Sequence, residues 1–249
     1  MSMIEQARDL WLWADWPAPK HVRAGTSLRT NGISHKPYGS LNLAQHVGDK
    51  FENVLDNRKT ISKSLTLPSE PAWLKQVHGK NIISLDTSQT DISADGSYTS
   101  NKNKICTILT ADCVPVLFCN SNGTKIAAIH AGWKGICAGI IERVVNEFSD
   151  PKSLLAWIGP CISSEYYEVG KDVYDRCLNH SDSLKGAFSQ VNPNHWQCNL
   201  TQIVKIILNN SGVGLIHECG LCTYKTEKLF YSYRRDGKTG RTASMIWME

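Results

Sequence analysis

The hydrophobic pattern is densest between residues 105 and 131, where apolar runs flank a turn. Residues 105–109 and 116–118 are rich in β-branched and apolar side chains, which favours buried strands. A third apolar run, residues 126–129, follows a turn that contains Asn122 and Gly123. An Asn-Gly pair between two such runs is a strong signal for a β-hairpin. The pattern therefore predicts three strands, the last two paired across a two-residue loop at Asn122-Gly123.

This hairpin would bring a cysteine and a histidine to one face of the sheet. With the loop at Asn122-Gly123, Cys113 lies opposite Gly132, and His130 lies opposite Pro115. Cys113 and His130 are then diagonal neighbours on the same face, about 7–8 Å apart at the backbone. A slip of one residue would place them on opposite faces. Pro115 has no N–H for the ladder, which indicates a strand end, an edge or a bulge.

The rest of the chain alternates short strands with helices. The spacing of apolar residues predicts helices over 50–64, 135–148, 171–179 and 200–209, and strands over 22–27, 73–79, 153–158, 213–217 and 241–247. Asp49, with Glu52 three residues later, is a variant of the capping box that would begin the first helix. Because no regular βαβ rhythm is present, the predicted fold class is α+β. We expect a single domain over residues 1–249, with mixed β-sheets flanked by helices.

Composition places the chain among ordinary globular proteins. Of its 249 residues, 41% are hydrophobic and 20% are charged, and the net charge of +4 comes without a basic run that would suggest nucleic-acid binding. Residues 1–9 carry acids where a signal peptide needs a basic start, and no apolar run approaches the ~18–20 residues of a membrane helix. Nine cysteines in no regular framework favour free thiols in a reducing cytoplasm.

Three possible metal ligands lie at the ends of short apolar runs: His78, Cys113 and His130. Imidazole and thiolate groups suit zinc, with copper as the second choice, and three protein ligands leave a fourth position for water or substrate. The same Cys113 and His130 also fit a nucleophile and its base, with Asp112 or another acid orienting the histidine. The sequence does not bring His78 to the other two residues, so both interpretations stand.

Eight segments, distributed over almost the whole chain, carry a family resemblance: AGTSLR (24–29), PYGSLNL (37–43), HVGD (46–49), QVHG (76–79), TADCVP (110–115), HAGWKG (130–135), WIGP (157–160) and FYSYRRDG (230–237). Together they resemble the bacterial YfiH family, which is also called the laccase-domain, polyphenol oxidase or purine nucleoside phosphorylase family. The resemblance implies the YfiH fold and a zinc site formed by His78, Cys113 and His130, at which copper is also possible.

The resemblance further implies purine nucleoside chemistry. The expected reactions are phosphorolysis of adenosine, inosine and S-methyl-5'-thioadenosine, and deamination of adenosine. Cys113, His130 and the adjacent Asp112 are the expected catalytic residues. Arg29 and Arg235 are candidates for binding phosphate, because arginine binds phosphate through two parallel hydrogen bonds. Three further polar residues in the motifs are candidates for contacting the sugar or the base: Ser40, Asn42 and Gln76. The expected protein is a monomer or a homodimer.

Three other functions remain open at this point. A cysteine hydrolase or amidase that edits peptidoglycan precursors would use Cys113 as nucleophile and His130 as base. A copper-dependent polyphenol oxidase needs more than one mononuclear site for the four-electron reduction of oxygen, and the remaining histidines show no second cluster. A zinc-stabilised interaction module would bind the metal without catalysis, and chelation would then unfold it.

Overall fold

The structure is a computed structural model that describes residues 10–88 and 92–249. The first nine residues, on which the prediction about a signal peptide rests, and residues 89–91 of the loop before Gly96 lie outside the described part. The strands are β1 Trp11–Trp13, β2 Val22–Ser27, β3 Ile82–Ser84, β4 Gly96–Thr99, β5 Ile105–Thr110, β6 Val114–Asn120, β7 Ile126–Ala131, β8 Leu154–Ile158, β9 Glu168–Gly170, β10 Phe188–Asn192, β11 His195–Cys198, β12 Leu215–Glu218 and β13 Thr242–Met248.

Six α-helices and four short 3-10 helices connect these strands in the described residues. The α-helices are α1 Phe51–Leu65, α2 Trp133–Cys137, α3 Ile140–Val145, α4 Lys171–His180, α5 Leu200–Asn210 and α6 Tyr233–Asp236. The 3-10 helices are Gln45–Val47, Pro151–Ser153, Ser164–Tyr166 and Asp182–Ala187. No helix in the described part of the chain is long and apolar enough to cross a membrane.

The strands form three sheets. A six-stranded mixed sheet has the order β12-β8-β6-β7-β4-β3, with its two outer pairs parallel and its inner pairs antiparallel. A four-stranded antiparallel sheet has the order β1-β2-β13-β5, and a small antiparallel sheet has the order β10-β11-β9. One mixed sheet and two antiparallel sheets, with helices between their strands, confirm the predicted α+β class.

The two large sheets pack face to face and are covered by helices on their outer sides. Along β6, Val116 and Phe118 contact the apolar faces of α2–α5, whereas Leu117 and Cys119 face the four-stranded sheet. The outer face of the four-stranded sheet packs against Ile61 of α1. Burying a large apolar side chain contributes about 1.5–3 kcal/mol, so strands buried on both faces contribute most of the core's stability.

The β6–β7 hairpin has the predicted register. Pro115 pairs with His130, and Val114 pairs with Ala131, so Cys113 and Gly132 lie just beyond the end of the ladder. Pro115 is the second residue of its strand, which agrees with the predicted strand end. The loop is longer than expected, because the ladder closes at Asn120 and Lys125 and leaves residues 121–124 in the turn. Since this loop is centred on the same two residues, the pairing is unchanged.

Three local predictions were wrong. The helix expected over 135–148 is divided into α2 and α3, because Gly139 lies between them with a left-handed φ of 91°. Residues 73–79 form no strand ladder. The capping box is absent: α1 begins after Lys50, and the Asp49 carboxylate accepts from Ser34 and Asn42 instead.

Candidate metal centre

The candidate centre lies where the chain crosses from one large sheet to the other. β5 of the four-stranded sheet ends at Thr110, and β6 of the six-stranded sheet begins at Val114, so residues 111–113 form the crossover. Asp112 turns the chain with a φ of 89°, a conformation in which Asp is one of the better tolerated residues. This turn places Cys113 at the end of the interface between the sheets.

The Asp112 carboxylate anchors this crossover to the C-terminal part of the chain. One oxygen accepts from Thr223 Oγ1 at 2.6 Å, and the other accepts from Ser232 Oγ at 3.0 Å and the backbone N–H of Arg234 at 2.7 Å. Its acceptors are thus occupied by structural donors. Asp112 therefore positions the neighbouring Cys113, and its carboxylate makes no contact with His130.

The three candidate ligands meet at one point. The ligand atoms of His78, Cys113 and His130 all lie within 4.8 Å of one another. The two imidazole rings are perpendicular, with centroids 4.7 Å apart. His130 is buried, Cys113 is half-buried and His78 is exposed, so the cluster opens to solvent on the His78 side. The hairpin register accounts for Cys113 and His130, and the fold brings the third ligand to them from residues 76–79.

A buried carboxylate that the sequence did not reveal orients both histidines. Asp95, which is fully buried, accepts a hydrogen bond at 2.8 Å from Nδ1 of His130, so that Nε2 is left for a metal. The same carboxylate accepts from the backbone N–H groups of Val77, His78 and Gly79 at 3.1, 2.9 and 2.7 Å. One side chain thus fixes the ring of one ligand and the backbone of the other.

Residues 73–79, which carry His78, form no ladder with β5, and only the preceding Ala72 makes a single bridge to Cys106. The Gln76 side chain replaces the ladder: its amide nitrogen donates to the Leu109 carbonyl at 2.9 Å, and its amide oxygen accepts from Leu109 N–H at 2.8 Å. His78 itself has a φ of 59°, which turns the chain at the ligand. Gln76, a candidate for substrate contact, therefore has its amide engaged by β5.

Gly132 leaves the space between the ligands open. A Cβ added there would lie 3.1 Å from Cys113 Sγ, 3.2 Å from His78 Cδ2 and 3.6 Å from His130 Nε2. Only glycine, which has no Cβ, leaves free this space between the three ligands, which we call the cradle. Thiolate and imidazole are typical ligands of zinc, and a carboxylate that bonds the second nitrogen of a ligand histidine is common at such sites. The residues present therefore fit a divalent metal ion such as zinc.

Substitution of Gly132 by alanine is expected to weaken metal binding about tenfold or more, because the new methyl group crowds the ligand atoms. Its backbone angles, φ −75° and ψ 156°, are open to alanine, so the free energy of unfolding of the metal-free protein should change by about 1 kcal/mol or less. Competition with a chromophoric chelator measures the affinity. Gly186→Ala is the matched control, since its added Cβ meets nothing within 4 Å. Unchanged metal affinity in Gly132→Ala would contradict the cradle.

Without metal, Cys113 and His130 form an ion pair. Burial by itself raises the pKa of the Cys113 thiol, but the charge of His130 and hydrogen bonds from both histidines outweigh it and lower the pKa to about 6. Burial by itself lowers the pKa of His130, but the Cys113 thiolate and the Asp95 carboxylate raise it to about 9. Hydrogen bonds from His130 and backbone N–H groups overcome burial and hold the pKa of Asp95 below its usual range.

Metal binding near pH 7.5 is therefore expected to release one proton from the Cys113–His130 pair. His130 must lose its Nε2 proton, whereas Cys113 has already lost its own. Below a pH of about 6 the thiol is also protonated, so the release from the pair rises towards two, and above about 9 it falls to zero. Calorimetric titration in buffers of different ionisation enthalpy counts these protons. No release at pH 7.5 would show that His130 is neutral.

The other predicted substrate contacts lie in structural hydrogen-bond networks. Asn42 is fully buried, and its amide bonds Ala44, Asp49 and the backbone N–H of Arg241. The Arg235 guanidinium pairs with Asp236 and donates to the carbonyls of Thr223, Tyr224 and Phe230. In this structure both side chains support the loops around the centre and neither offers a free group to a ligand.

Arg29 and Ser40 lie together at a separate surface cleft of about 500 Å³, which Thr30, Gly39, Glu227 and Lys228 complete. None of the three metal ligands lines this cleft. The Arg29 guanidinium donates to the carbonyls of Gly39 and Glu227 and lies over the Tyr231 ring, and the Ser40 hydroxyl donates to the Arg29 carbonyl. These contacts fix the loop over residues 29–40.

Comparisons with known proteins show which family this chain resembles. The family model described as multi-copper polyphenol oxidoreductase laccase matches residues 23–249. Purine nucleoside phosphorylase YfiH of Escherichia coli is 44% identical over 236 residues, which cover 94% of this chain and 96% of that protein. Purine nucleoside phosphorylase PA4543 of Pseudomonas aeruginosa is 40% identical over 241 residues, or 96% and 98% of the two chains. The crystal structure of Neisseria meningitidis protein NMB0706 aligns with a TM-score of 0.91 at 37% identity, over 96% of this chain and 99% of that one. The resemblance to YfiH proteins is thereby confirmed.

Proposed function

The chain belongs to the family described as multi-copper polyphenol oxidoreductase laccase, and within it we propose that this protein is a zinc-dependent purine nucleoside phosphorylase. The observation that carries the proposal is the convergence of His78, Cys113 and His130 on one point, with Asp95 behind His130. The names of the relatives from E. coli and P. aeruginosa supply the reaction class.

The proposed substrates are phosphate and the nucleosides adenosine, inosine and S-methyl-5'-thioadenosine, with deamination of adenosine as a second activity. His78, Cys113 and His130 would hold the metal ion, which would supply Lewis acidity at its open position. Asp95 keeps the proton on Nδ1 of His130, so the ring presents Nε2. The exposed side of the cluster, next to His78, is where a nucleoside can approach.

Phenol oxidation is the function that the family description suggests, and the geometry supports it less. In residues 10–88 and 92–249, one group of histidine, cysteine and acidic residues has the spacing of a metal site. Four-electron reduction of oxygen needs more centres than one mononuclear site. The choice of zinc over copper rests on the thiolate and imidazole ligands and on the purine reaction proposed here.

A cysteine hydrolase is the second candidate, because the metal-free centre holds a thiolate next to an imidazolium. This pair has the protonation state of an activated cysteine nucleophile and its acid–base partner. The two functions differ in their need for His78, which a nucleophile mechanism does not use. They also differ in metal content, since a thiolate that binds zinc is occupied.

The test is phosphate-dependent release of adenine and hypoxanthine by purified protein, with metal content measured in the same sample. One equivalent of zinc and phosphorolysis that a chelator removes and zinc restores would support the proposal. Circular dichroism after chelation separates an enzyme from a zinc-stabilised module, which would unfold. Inactivity of the zinc-loaded protein on every purine nucleoside would refute it.

A further inference from the structure

Arg241 lies beside the metal centre and was not among the residues that the sequence indicated. It directly precedes β13, whose first residue, Thr242, pairs with Thr110 at the end of β5. Residues 111–113 leave the sheet at that point and lead to Cys113. Asn42 holds the position, since its amide oxygen accepts from the backbone N–H of Arg241, and the Arg241 carbonyl accepts from Leu43 N–H.

The Arg241 guanidinium has no carboxylate partner within 4 Å among the described residues. One terminal nitrogen donates to the carbonyls of Thr239 and Gly240, both at 2.9 Å, which leaves Nε and the other terminal nitrogen free to donate. The guanidinium carbon lies 5.9 Å from the centroid of the Tyr233 ring, which is 61% exposed. Arg241 is thus a half-buried cation with two donors that are available to an anion.

Several basic groups lie near Arg241, and the negative groups that act on its guanidinium include the Cys113 thiolate and the Asp112 carboxylate. Burial is the main cause that lowers the pKa of His46, and the positive charges of Arg241, Arg58 and His78 lower it further. The Lys238 ammonium lies on the same side, 5.7 Å from the Tyr38 ring. The acids of this region are already bonded: Asp112 binds Thr223, Ser232 and Arg234, and Asp49 binds Ser34 and Asn42.

We propose that Arg241, with the neighbouring His46, forms the phosphate-binding subsite next to the metal centre. The proposal rests on the proposed function. It replaces Arg29, which lies at the separate cleft that none of the three metal ligands lines, and Arg235, whose guanidinium is held by three carbonyls and Asp236. The two free donors of Arg241 suit two phosphate oxygens, and the His46 imidazole adds a donor from the 3-10 helix Gln45–Val47.

Phosphate held there would act as the nucleophile of the reaction. One of its oxygens forms a bond to C1' of the ribose while the bond from C1' to N9 of the purine breaks. The electron pair of that bond leaves with the base, which takes up a proton, and the sugar keeps the phosphate. A guanidinium held by the carbonyls of Thr239 and Gly240 would keep this phosphate dianion close to the metal centre.

The test is equilibrium binding of inorganic phosphate, measured by calorimetry on metal-free and zinc-loaded protein, together with KM values for phosphate and inosine. Arg241→Gln is expected to weaken phosphate binding and raise KM for phosphate about 10- to 100-fold, the range for a hydrogen-bonded charged group. KM for inosine and the zinc stoichiometry should stay within about twofold. The phosphate affinity of Arg241→Lys should lie between those of the wild-type protein and Arg241→Gln, because lysine keeps the positive charge and loses the paired donors of the guanidinium. Arg143→Gln, which removes an exposed arginine of α3, is the control.

Several outcomes separate this subsite from the proposed function. Unchanged phosphate affinity in folded Arg241→Gln, or no phosphate binding by the wild-type protein at about 10 mM, which is roughly tenfold above the ~1 mM upper end of typical KM values, would overturn the subsite even if phosphorolysis is observed. Phosphate binding that depends on Arg241, in a protein without phosphorolysis, would retain the subsite and refute the function. If Arg241→Gln does not fold, Arg241→Lys decides, and wild-type affinity in that variant would overturn the subsite.

Discussion

Replacing His78 by alanine is expected to abolish metal binding and to lower phosphorolysis about a thousandfold, while the fold is retained. A bound metal supplies several kcal/mol of transition-state stabilisation, and each ~1.4 kcal/mol is a tenfold change in rate. His78 is the exposed ligand of the cluster but has a left-handed φ of 59°, so its replacement by alanine should change the free energy of unfolding of the metal-free protein by about 1 kcal/mol or less. Metal analysis, phosphorolysis and thermal unfolding in the presence of a chelator measure the three effects.

The neighbouring residue supplies a matched control. Val77 is 53% exposed and shares the same turn, and its contact with Asp95 is made by its backbone N–H. Val77→Ala should therefore keep metal and activity. This comparison also separates the two candidate functions. Cys113→Ala should remove the enzyme's activity under either function. A His78→Ala variant that loses zinc and keeps a hydrolase activity would support the cysteine hydrolase.

The sequence predicts the centre of this site because the relevant contacts are local. The hairpin brings Cys113 and His130 together through its register, and the register depends on an Asn-Gly turn and two alternating apolar runs. The four-residue loop did not disturb this prediction, since it is symmetric about Asn122 and Gly123. Fold class and most helices follow in the same way from periodic apolar positions.

Contacts between distant segments could not be predicted in this way. Residues 73–79 were predicted as a strand because they are apolar, but a side-chain amide, that of Gln76, takes the place of backbone pairing. Asp95 lies at the end of a polar loop, where an acid is unremarkable in sequence. Its role appears only when β4 pairs with β7, since that pairing places it next to His130. Arg241 depends likewise on the pairing of β13 with β5.

Asp95→Asn is expected to cost about 2–4 kcal/mol of stability and to weaken metal binding about 10- to 100-fold. One carboxylate oxygen accepts from His130 Nδ1 and His78 N–H, and the other accepts from Val77 and Gly79 N–H. An asparagine has one amide oxygen, so in either orientation its NH₂ group meets two donors. Asp95 is fully buried, and no water is available to accept from them.

Asp112→Asn is the matched control for this argument, since Asp112 also has both oxygens occupied. Thr223 binds one of them through a hydroxyl, which can rotate and accept from an amide NH₂. The amide oxygen then takes the donors from Ser232 and Arg234, so every group keeps a partner. We expect Asp112→Asn to lose about 1 kcal/mol or less and to keep its metal. Chemical denaturation and chelator competition on both variants test the contrast. Equal losses in the two would mean that negative charge, and not the pattern of donors, is what Asp95 provides to the centre.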